Sequence, residues 1–290
     1  MKTDDSSLAV PGREMTSPLA SKPTTKWNTK NLSWRLGADA VSASCAGALI
    51  APIISIIDRS IMENASGRNT LGDSIRSSLR TLLFRPQSLL LSRPCALVFL
   101  LYSGTYMTAN SVDTASSTVA GRPASAITAG PLKFAASSGA NVGLCVYKDQ
   151  VFARMFGPPG ALVPRPVTLP SYALFTLRDC LTIFASFNVP PLLAPYIDAR
   201  LSQDMRRRIS GATAAQFIAP ACVQLFSTPI HLLGLDIYNR SNVPWRNRWE
   251  AVRSNWFISA AARMGRIIPA FGVGGVVNMK IRRNLMEKLE

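Results

Sequence analysis

The chain has 290 residues, and 32 Lys and Arg against 16 Asp and Glu give a formal net charge of +16. Yet 48% of the residues are hydrophobic, only 17% are charged, and the mean hydropathy is positive. A soluble nucleic-acid-binding protein carries a far more polar surface, so we expect a membrane protein with anionic lipid as a partner and no nucleic acid.

Few residues offer metal or catalytic chemistry. The five cysteines stand singly inside apolar stretches, no Cys-x-x-Cys pair occurs, and the chain has one histidine. A zinc site needs three or four clustered ligands, so no metal is predicted. Nucleotide-binding, serine-hydrolase and zinc-protease motifs are absent from the sequence, so neither an enzyme nor a cofactor is expected.

The first 35 residues are polar, rich in Pro, Ser and Thr, and without helical periodicity. They contain no apolar core of a secretory signal, and Asp4, Asp5 and Glu14 are atypical of a mitochondrial presequence. We therefore expect residues 1–35 to form a flexible polar tail.

Six apolar segments follow the tail. They cover residues 40–57, 94–112, 134–147, 180–197, 209–235 and 267–279. A membrane-spanning helix needs about 20 largely apolar residues, so the two shorter segments reach this length only if flanking Arg and Lys side chains extend to the surface. The pattern predicts six transmembrane helices.

The connections between the segments alternate between long and short, which predicts three pairs of helices. Arg93, Arg178 and Arg263 stand 85 residues apart, each close before an even-numbered segment. This common spacing predicts three tandem two-helix repeats. Their expected bounds are about 36–118, 119–203 and 204–285.

Each odd-numbered segment ends in an aspartate that an arginine follows within five residues. These aspartates are Asp58, Asp149 and Asp236. They either form a ring of ion pairs with nearby arginines or are surface charges at the membrane boundary, and the sequence leaves both readings open.

A proline lies near the end of the first segment, Pro52 in "APIISIID", and of the fifth, Pro229 in "STPIHLLGLD". The stretch "RIIPAF", which begins at Arg266, opens the sixth segment. Together with the three repeats, these features over residues 36–285 resemble the mitochondrial carrier family.

This resemblance implies an all-α membrane protein with six transmembrane helices in three tandem two-helix repeats. It implies a solute carrier that works by alternating access, a monomer, in a mitochondrial membrane, the inner in preference to the outer. Pro52 and Pro229 would then kink their helices, and Asp58, Asp149 and Asp236 would belong to a gate at one side of the cavity.

Glycines mark two of the segments. The resemblance implies that Gly139 and Gly143 pack helices together in the third segment. Gly272, Gly274 and Gly275 in the sixth could suggest a phosphate-binding loop, but such a loop lies between a strand and a helix N-terminus. Because these glycines stand inside an apolar run, they favour close helix packing.

Few polar groups remain as candidates for solute binding. Arg93, Arg178, Arg263 and Arg266 suit an anionic solute because a guanidinium binds such groups through paired hydrogen bonds; alternatively they anchor helix ends at lipid headgroups. His231 has either a substrate or gating role or a purely interfacial one. Asn188 is one of the few polar groups in the middle of a segment.

The signature motif of the resemblance is degraded. After Pro52 the charged positions hold Ile54 and Ile57, and after Pro229 they hold His231 and Gly234. The sequence therefore supports two functions: a solute carrier for a small molecule, and a non-transporting scaffold that binds a partner at the membrane.

Overall fold

A computed structural model describes most of the chain after the N-terminal segment. The described ranges are 27–128, 130–157, 166–202, 210–240 and 242–290. All regular secondary structure in them is helical, which confirms the all-α prediction. Residues 1–26 of the predicted tail lie outside these ranges, and the first helix already begins at Leu32.

Ten helical elements follow one another in the described ranges. They are α1 Leu32–Ala65, α2 Leu71–Phe84, α3 Pro86–Leu90, α4 Arg93–Val119, α5 Pro131–Met155, α6 Leu169–Arg200, α7 Gly211–Asn239, α8 Trp245–Gly265, a π-helix Ile268–Gly274 and α9 Gly275–Glu287. The first four predicted apolar segments fall within α1, α4, α5 and α6. The fifth lies in α7 from Gly211 onward, and the sixth lies in the π-helix and α9 from Ile268 onward. Several helices run past the uncharged stretches, and α1 has buried charges beyond both ends of its stretch, namely Arg35, Asp39, Asp58 and Glu63.

Hydroxyl side chains fix where three of these helices begin. Thr70, Ser92 and Ser210 are N-caps whose side-chain oxygens accept hydrogen bonds from backbone N–H groups of the first turn. Such caps satisfy donors that no earlier helical carbonyl reaches. They set α2, α4 and α7 at defined starting points in the bundle.

Three helices among the described residues are long and apolar enough to cross a membrane. They are Leu32–Ala65, Leu169–Arg200 and Thr213–Asn239. Val41, Leu49 and Ile53 of α1 are about half exposed, so this helix presents an apolar outer face that lipid would cover. A multi-pass membrane protein is thus plausible, but the six-span arrangement in three repeats is not confirmed.

The long helices form a ring. In chain order α1 contacts α4, α4 contacts α5, α5 contacts α6, α6 contacts α7 and α7 contacts α8. The π-helix and α9 return to α1 and close the circle. Helices that are far apart in the described sequence consequently surround the centre of this ring.

The π-helix lies beside this centre. Pro269 has no N–H group and so removes one bond from the helical ladder, which disturbs the regular α-helix there. The hydroxyl of Tyr106 on α4 donates to the Ala270 carbonyl at 2.8 Å. The local break in the helix is therefore held by a side chain from a neighbouring helix.

The predicted packing glycines differ in their surroundings. A Cβ at Gly274 would lie 2.6 Å from the Tyr106 hydroxyl and 2.9 Å from Ile50 Cδ1, so α1 and α4 approach this position closely. At Gly272 the nearest contact would be an ordinary one with Phe217 at 3.6 Å. No described atom comes within 4 Å of a Cβ at the other three, so those positions do not mark a close approach. They are Gly139, Gly143 and Gly275.

Candidate functional site

Eight ionisable side chains meet at one end of the ring, where α1, α5 and α7 end and α6 and the last helices begin. This charge cluster consists of Asp58, Lys148, Asp149, Arg178, Asp179, His231, Arg263 and Arg266. Nearly all of them are buried; Arg266, the most open, has a side chain 14% exposed. Charges this deep in a helical bundle persist only when they are paired or serve a function.

Asp58 on α1 links two other helices. It accepts a short hydrogen bond from Lys148 on α5 and another from Arg266, after α8, at 2.7 Å. Because Asp58 and Arg266 are 208 residues apart in sequence, this pair ties the first helix to the segment between α8 and the π-helix.

Asp149 on α5 and Asp179 on α6 share Arg178. Its Nη2 donates to Asp149 Oδ2 and lies 2.8 Å from Asp179 Oδ1. Asp149 also lies 2.8 Å from Lys148, which carries the chain of pairs back to Asp58. The alternating charges therefore connect α1, α5, α6 and the end of α8 across one mouth of the ring.

His231 on α7 borders the same cluster. Its Nδ1 is 3.9 Å from Asp149 Oδ2, and its ring packs against Phe175 with centroids 5.4 Å apart. The predicted alternative of an interfacial histidine does not describe this position, because only 2% of the residue is exposed.

Cys145 lies within 4.8 Å of the carboxylates of Asp149 and Asp179, a spacing that would suit a cation. Those carboxylates already face Lys148 and Arg178, and the Arg178 guanidinium lies 3.6 Å from the Cys145 sulfur. The positive side chains oppose a bound metal ion, so the group is explained by ion pairing.

A cavity of about 140 Å³ lies inside the ring next to the charge cluster. Its walls come from α4, α5, α6, α7 and the last helices. Most of its wall is apolar, but six of the lining residues carry hydroxyl groups. They belong to Tyr102, Thr105, Ser137, Ser138, Thr182 and Ser186. Asn141 and Gln224 add amides, and Asp179 and Arg266 add one charge of each sign.

Two polar atoms in this wall are unsatisfied. Ser138 Oγ and Asp179 Oδ2 are buried and have no hydrogen-bond partner among the described residues. A buried polar group without a partner is unfavourable, so these atoms point to a polar occupant of the cavity.

A second buried polar network ties α1, α4 and α9 at the opposite end. Arg282 donates to Asp39 at 2.7 Å, and Thr114 donates to the same carboxylate. Asn110 and Asn278 exchange two amide hydrogen bonds of 2.9 and 3.0 Å. We call this set the far-end network.

The two polar ends are separated by the thickness of a membrane core. Asp39 and Asp58 both belong to α1 and are nineteen residues apart, which is about 28 Å along an α-helix. The hydrocarbon region of a bilayer is about 30 Å thick. The charge cluster and the far-end network are thus spaced to lie near the two membrane surfaces, with the cavity between them.

The structure brings together only part of the predicted site. Asp58, Asp149, Arg178, Arg263 and Arg266 meet in the charge cluster with His231. The other candidates lie elsewhere, as the contacts of each one show.

Arg93 is exposed at the start of α4, and Asn188 is exposed and donates only to the Phe184 carbonyl one turn earlier. Asp236 is buried but pairs separately with Arg240 and, at 2.8 Å, with Arg248. A common ring of the three segment-ending aspartates is therefore wrong, since Asp236 faces its own loop.

The two predicted helix-kinking prolines do lie inside their helices. Pro52 is within α1 and Pro229 within α7, and Ser55 donates to the Pro52 carbonyl at 2.8 Å.

Lys148, Asp179 and Gln224 belong to the site but were not predicted. Lys148 and Asp179 each stand next to an opposite charge in sequence, in "YKDQ" and "LRDC", at the edge of an apolar segment. That adjacency of opposite charges is the signal that could have identified them. Gln224 carries no comparable sequence signal.

A ring of apolar helices around a cavity whose wall carries hydroxyl, amide and charged groups, with ionic networks at both ends, suits a membrane protein that encloses a small solute. Comparison with known families agrees with this class. A family model described as "Probable citrulline exporter" matches residues 42–286, so the chain belongs to that family. Family membership suggests a membrane solute transporter. No curated protein matches the chain.

The resemblance to the mitochondrial carrier family is wrong, because the family whose model matches is a different one. The sequence departs from that family at the charged positions of its signature motif. Ile54 and Ile57 after Pro52 cannot form the ion pairs on which that signature depends. Apolar segments at regular spacing are common to many helical membrane proteins, so the repeat pattern was not specific.

Proposed function

We propose that this protein transports a small polar metabolite with amino-acid character, citrulline being the first candidate, through the cavity at the centre of its helix ring. The family description supports this substrate class. The volume of about 140 Å³ is roughly ten times what one water molecule requires, which suits a small metabolite.

The observation that carries the proposal is the position of the cavity directly beneath a closed charge cluster. Asp58 pairs with Lys148 and Arg266 across the mouth of the ring, so a solute reaches the cavity from that side only when these pairs separate. Ion pairs of this kind can exchange partners with modest net cost, because each charge finds another partner or water in the open form.

The opposite mouth is organised differently. The far-end network joins α1, α4 and α9, and among the described residues no side chain of α6 or α7 takes part in it. We propose that α6 and α7 move away from α1, α4 and α9 at this end and admit solute while the charge cluster is closed. This opening of one end at a time is alternating access.

We also propose that all six long apolar segments cross the membrane. The spacing of the two polar ends supports this, since α4, α5, α6, α7 and the π-helix all contribute to the wall of the cavity. Extraction of membranes with alkaline carbonate tests the membrane assignment: the protein is expected in the pellet, and its release into the supernatant would contradict the proposal.

Counterflow in proteoliposomes tests the transport function. Vesicles loaded with unlabelled citrulline are expected to accumulate external labelled citrulline, and protein-free vesicles are not. A panel of lysine, glutamate and glutamine should compete in the order of their similarity to citrulline. Failure of every panel member to enter above the protein-free background would refute transport and favour the scaffold.

Anionic lipid is a second proposed partner. On α2 the exposed side chains of Leu79, Leu83 and Phe84 accompany Arg76 and Arg80, a combination typical of a helix that lies in the membrane interface. Anionic lipid should raise the melting temperature of purified protein more than neutral lipid does. Replacing Arg76 and Arg80 with Gln should abolish that difference, and a persisting difference would contradict the assignment.

Location in a mitochondrial membrane, the inner in preference to the outer, was implied only by the resemblance to the mitochondrial carrier family and stays untested. Fractionation of organelles, followed by protease protection, tests it. Enrichment in another membrane would leave the transport proposal intact and remove only this location.

A further inference from the structure

Arg263 differs from the other cations of the charge cluster. Only 2% of the residue is exposed, yet no carboxylate of the described residues pairs with it. Its Nε donates to Gln224 Oε1 at 2.9 Å, and its Nη2 has no hydrogen-bond partner. The guanidinium is therefore buried, charged and only partly satisfied.

Counting charges gives the same result. The cluster holds four cations against three carboxylates, which leaves one positive charge in excess when His231 is counted as neutral. Lys148 and Arg266 both pair with Asp58, while Arg178 pairs with Asp149 and Asp179. An uncompensated charge buried among helices is strongly unfavourable, so the cluster favours a ligand that places an anionic group beside the unpaired cation.

The position of Arg263 connects this excess charge to the cavity. Gln224, its hydrogen-bond partner, lines the cavity wall. Arg266, one turn further on, lines both the cavity and the small space around Arg263. Asp179 contributes to the same wall an oxygen, Oδ2, that accepts no hydrogen bond. Arg263 itself lies outside the cavity wall but is hydrogen-bonded to Gln224 in that wall, to which Asp179 contributes an unpaired carboxylate oxygen.

We propose that Arg263, together with Gln224, binds the carboxylate of the transported solute and that Asp179 binds its ammonium group. This rests on the proposed transport function and narrows its substrate class to α-amino acids with an uncharged polar side chain. A guanidinium binds a carboxylate through two parallel hydrogen bonds, so the solute's carboxylate would give Arg263 the anionic partner that it lacks. The solute's ammonium group would face Asp179, and because the solute is a zwitterion it leaves the net charge of the site unchanged. The remaining hydroxyl and amide groups of the cavity then face the polar side chain, such as a ureido group.

The first test compares ligands by the shift that each causes in the melting temperature of purified protein. L-citrulline is expected to stabilise the wild-type protein, whereas ureidobutylamine, which is citrulline without its carboxylate, is not. Arg263→Gln should abolish the citrulline shift, Arg263→Lys should keep part of it, and Arg253→Gln, an exposed arginine on the same helix, should keep all of it. An equal shift by both ligands, or an unchanged shift in Arg263→Gln, would overturn the assignment.

The second test separates carboxylate binding from a structural role. Without ligand, Arg263→Gln should melt at or above the wild-type temperature, because it removes the uncompensated charge. In transport assays it should raise the KM for citrulline at least tenfold. A lower ligand-free melting temperature with unchanged KM would show that Arg263 is structural. Because the thermal shift needs no transport, a protein that binds citrulline but does not move it would refute the transport proposal alone.

Discussion

The pair between Asp58 and Arg266 gives a quantitative prediction about how the ring is held closed. Asp58→Asn removes the only carboxylate that pairs with Arg266 among the described residues. Lys148, which also pairs with Asp58, still has Asp149 as a partner. Loss of one partner from a buried pair costs about 3–5 kcal/mol, so we expect Asp58→Asn to fall in this range. Arg266→Gln leaves Asp58 with Lys148, so its cost should be smaller, about 2 kcal/mol.

The two substitutions together should cost less than their sum. In the Arg266→Gln background, Asp58→Asn no longer leaves a buried guanidinium without a partner. The expected coupling free energy is about 1.5–3 kcal/mol. Unfolding of purified protein in mixed detergent micelles, followed by tryptophan fluorescence, measures the four species of this cycle.

The exposed pair Arg283–Glu287 is a matched control. Its nitrogen and oxygen are also 2.7 Å apart, but the side chains are 74% and 47% exposed. Exposed pairs within one helix contribute little, so its cycle should show no measurable coupling. If Asp58 and Arg266 were additive within about 0.5 kcal/mol, the charge cluster would not close the ring as described.

Two further predictions concern the packing of the ring. Asn110→Ala leaves the buried amide of Asn278 unpaired and should destabilise the protein by about 1–3 kcal/mol in the same unfolding assay; a smaller cost would mean that water replaces the lost partner. Gly274→Ala should lower the melting temperature and the monodisperse yield, since its Cβ would lie 2.6 Å from the Tyr106 hydroxyl, whereas Gly275→Ala, with open space around it, should not. Equal behaviour of the two alanine variants would contradict the close approach at Gly274.

The sequence predicted the helices better than it predicted their ends. Apolar runs identify where helices lie, so residues 40–57 correctly fall within Leu32–Ala65. The runs end at the first charge, however, and Asp39 and Arg282 are buried charges inside helices. Their burial depends on pairing with each other across 243 residues, which no local pattern contains.

The charge cluster was predictable only in part for a related reason. Spacing along the chain identified Arg178 and Arg263 as equivalent, but the structure gives them different surroundings: Arg178 pairs with two carboxylates, and Arg263 pairs with none among the described residues. Which buried cation lacks a partner is decided by packing between helices that are far apart in sequence. The candidate ligand-binding role of Arg263 therefore emerges from the three-dimensional contacts alone.

The most direct test of the central claim, that solute passes through the cavity of the ring, is citrulline counterflow by a variant whose cavity is filled. Ser138 lines the cavity, so Ser138→Trp should abolish uptake in folded, reconstituted protein. Its neighbour Gly139 is exposed and faces open space, so Gly139→Trp adds the same bulk outside the cavity and should leave uptake intact. Uptake by Ser138→Trp equal to that of the wild type would contradict passage through this cavity.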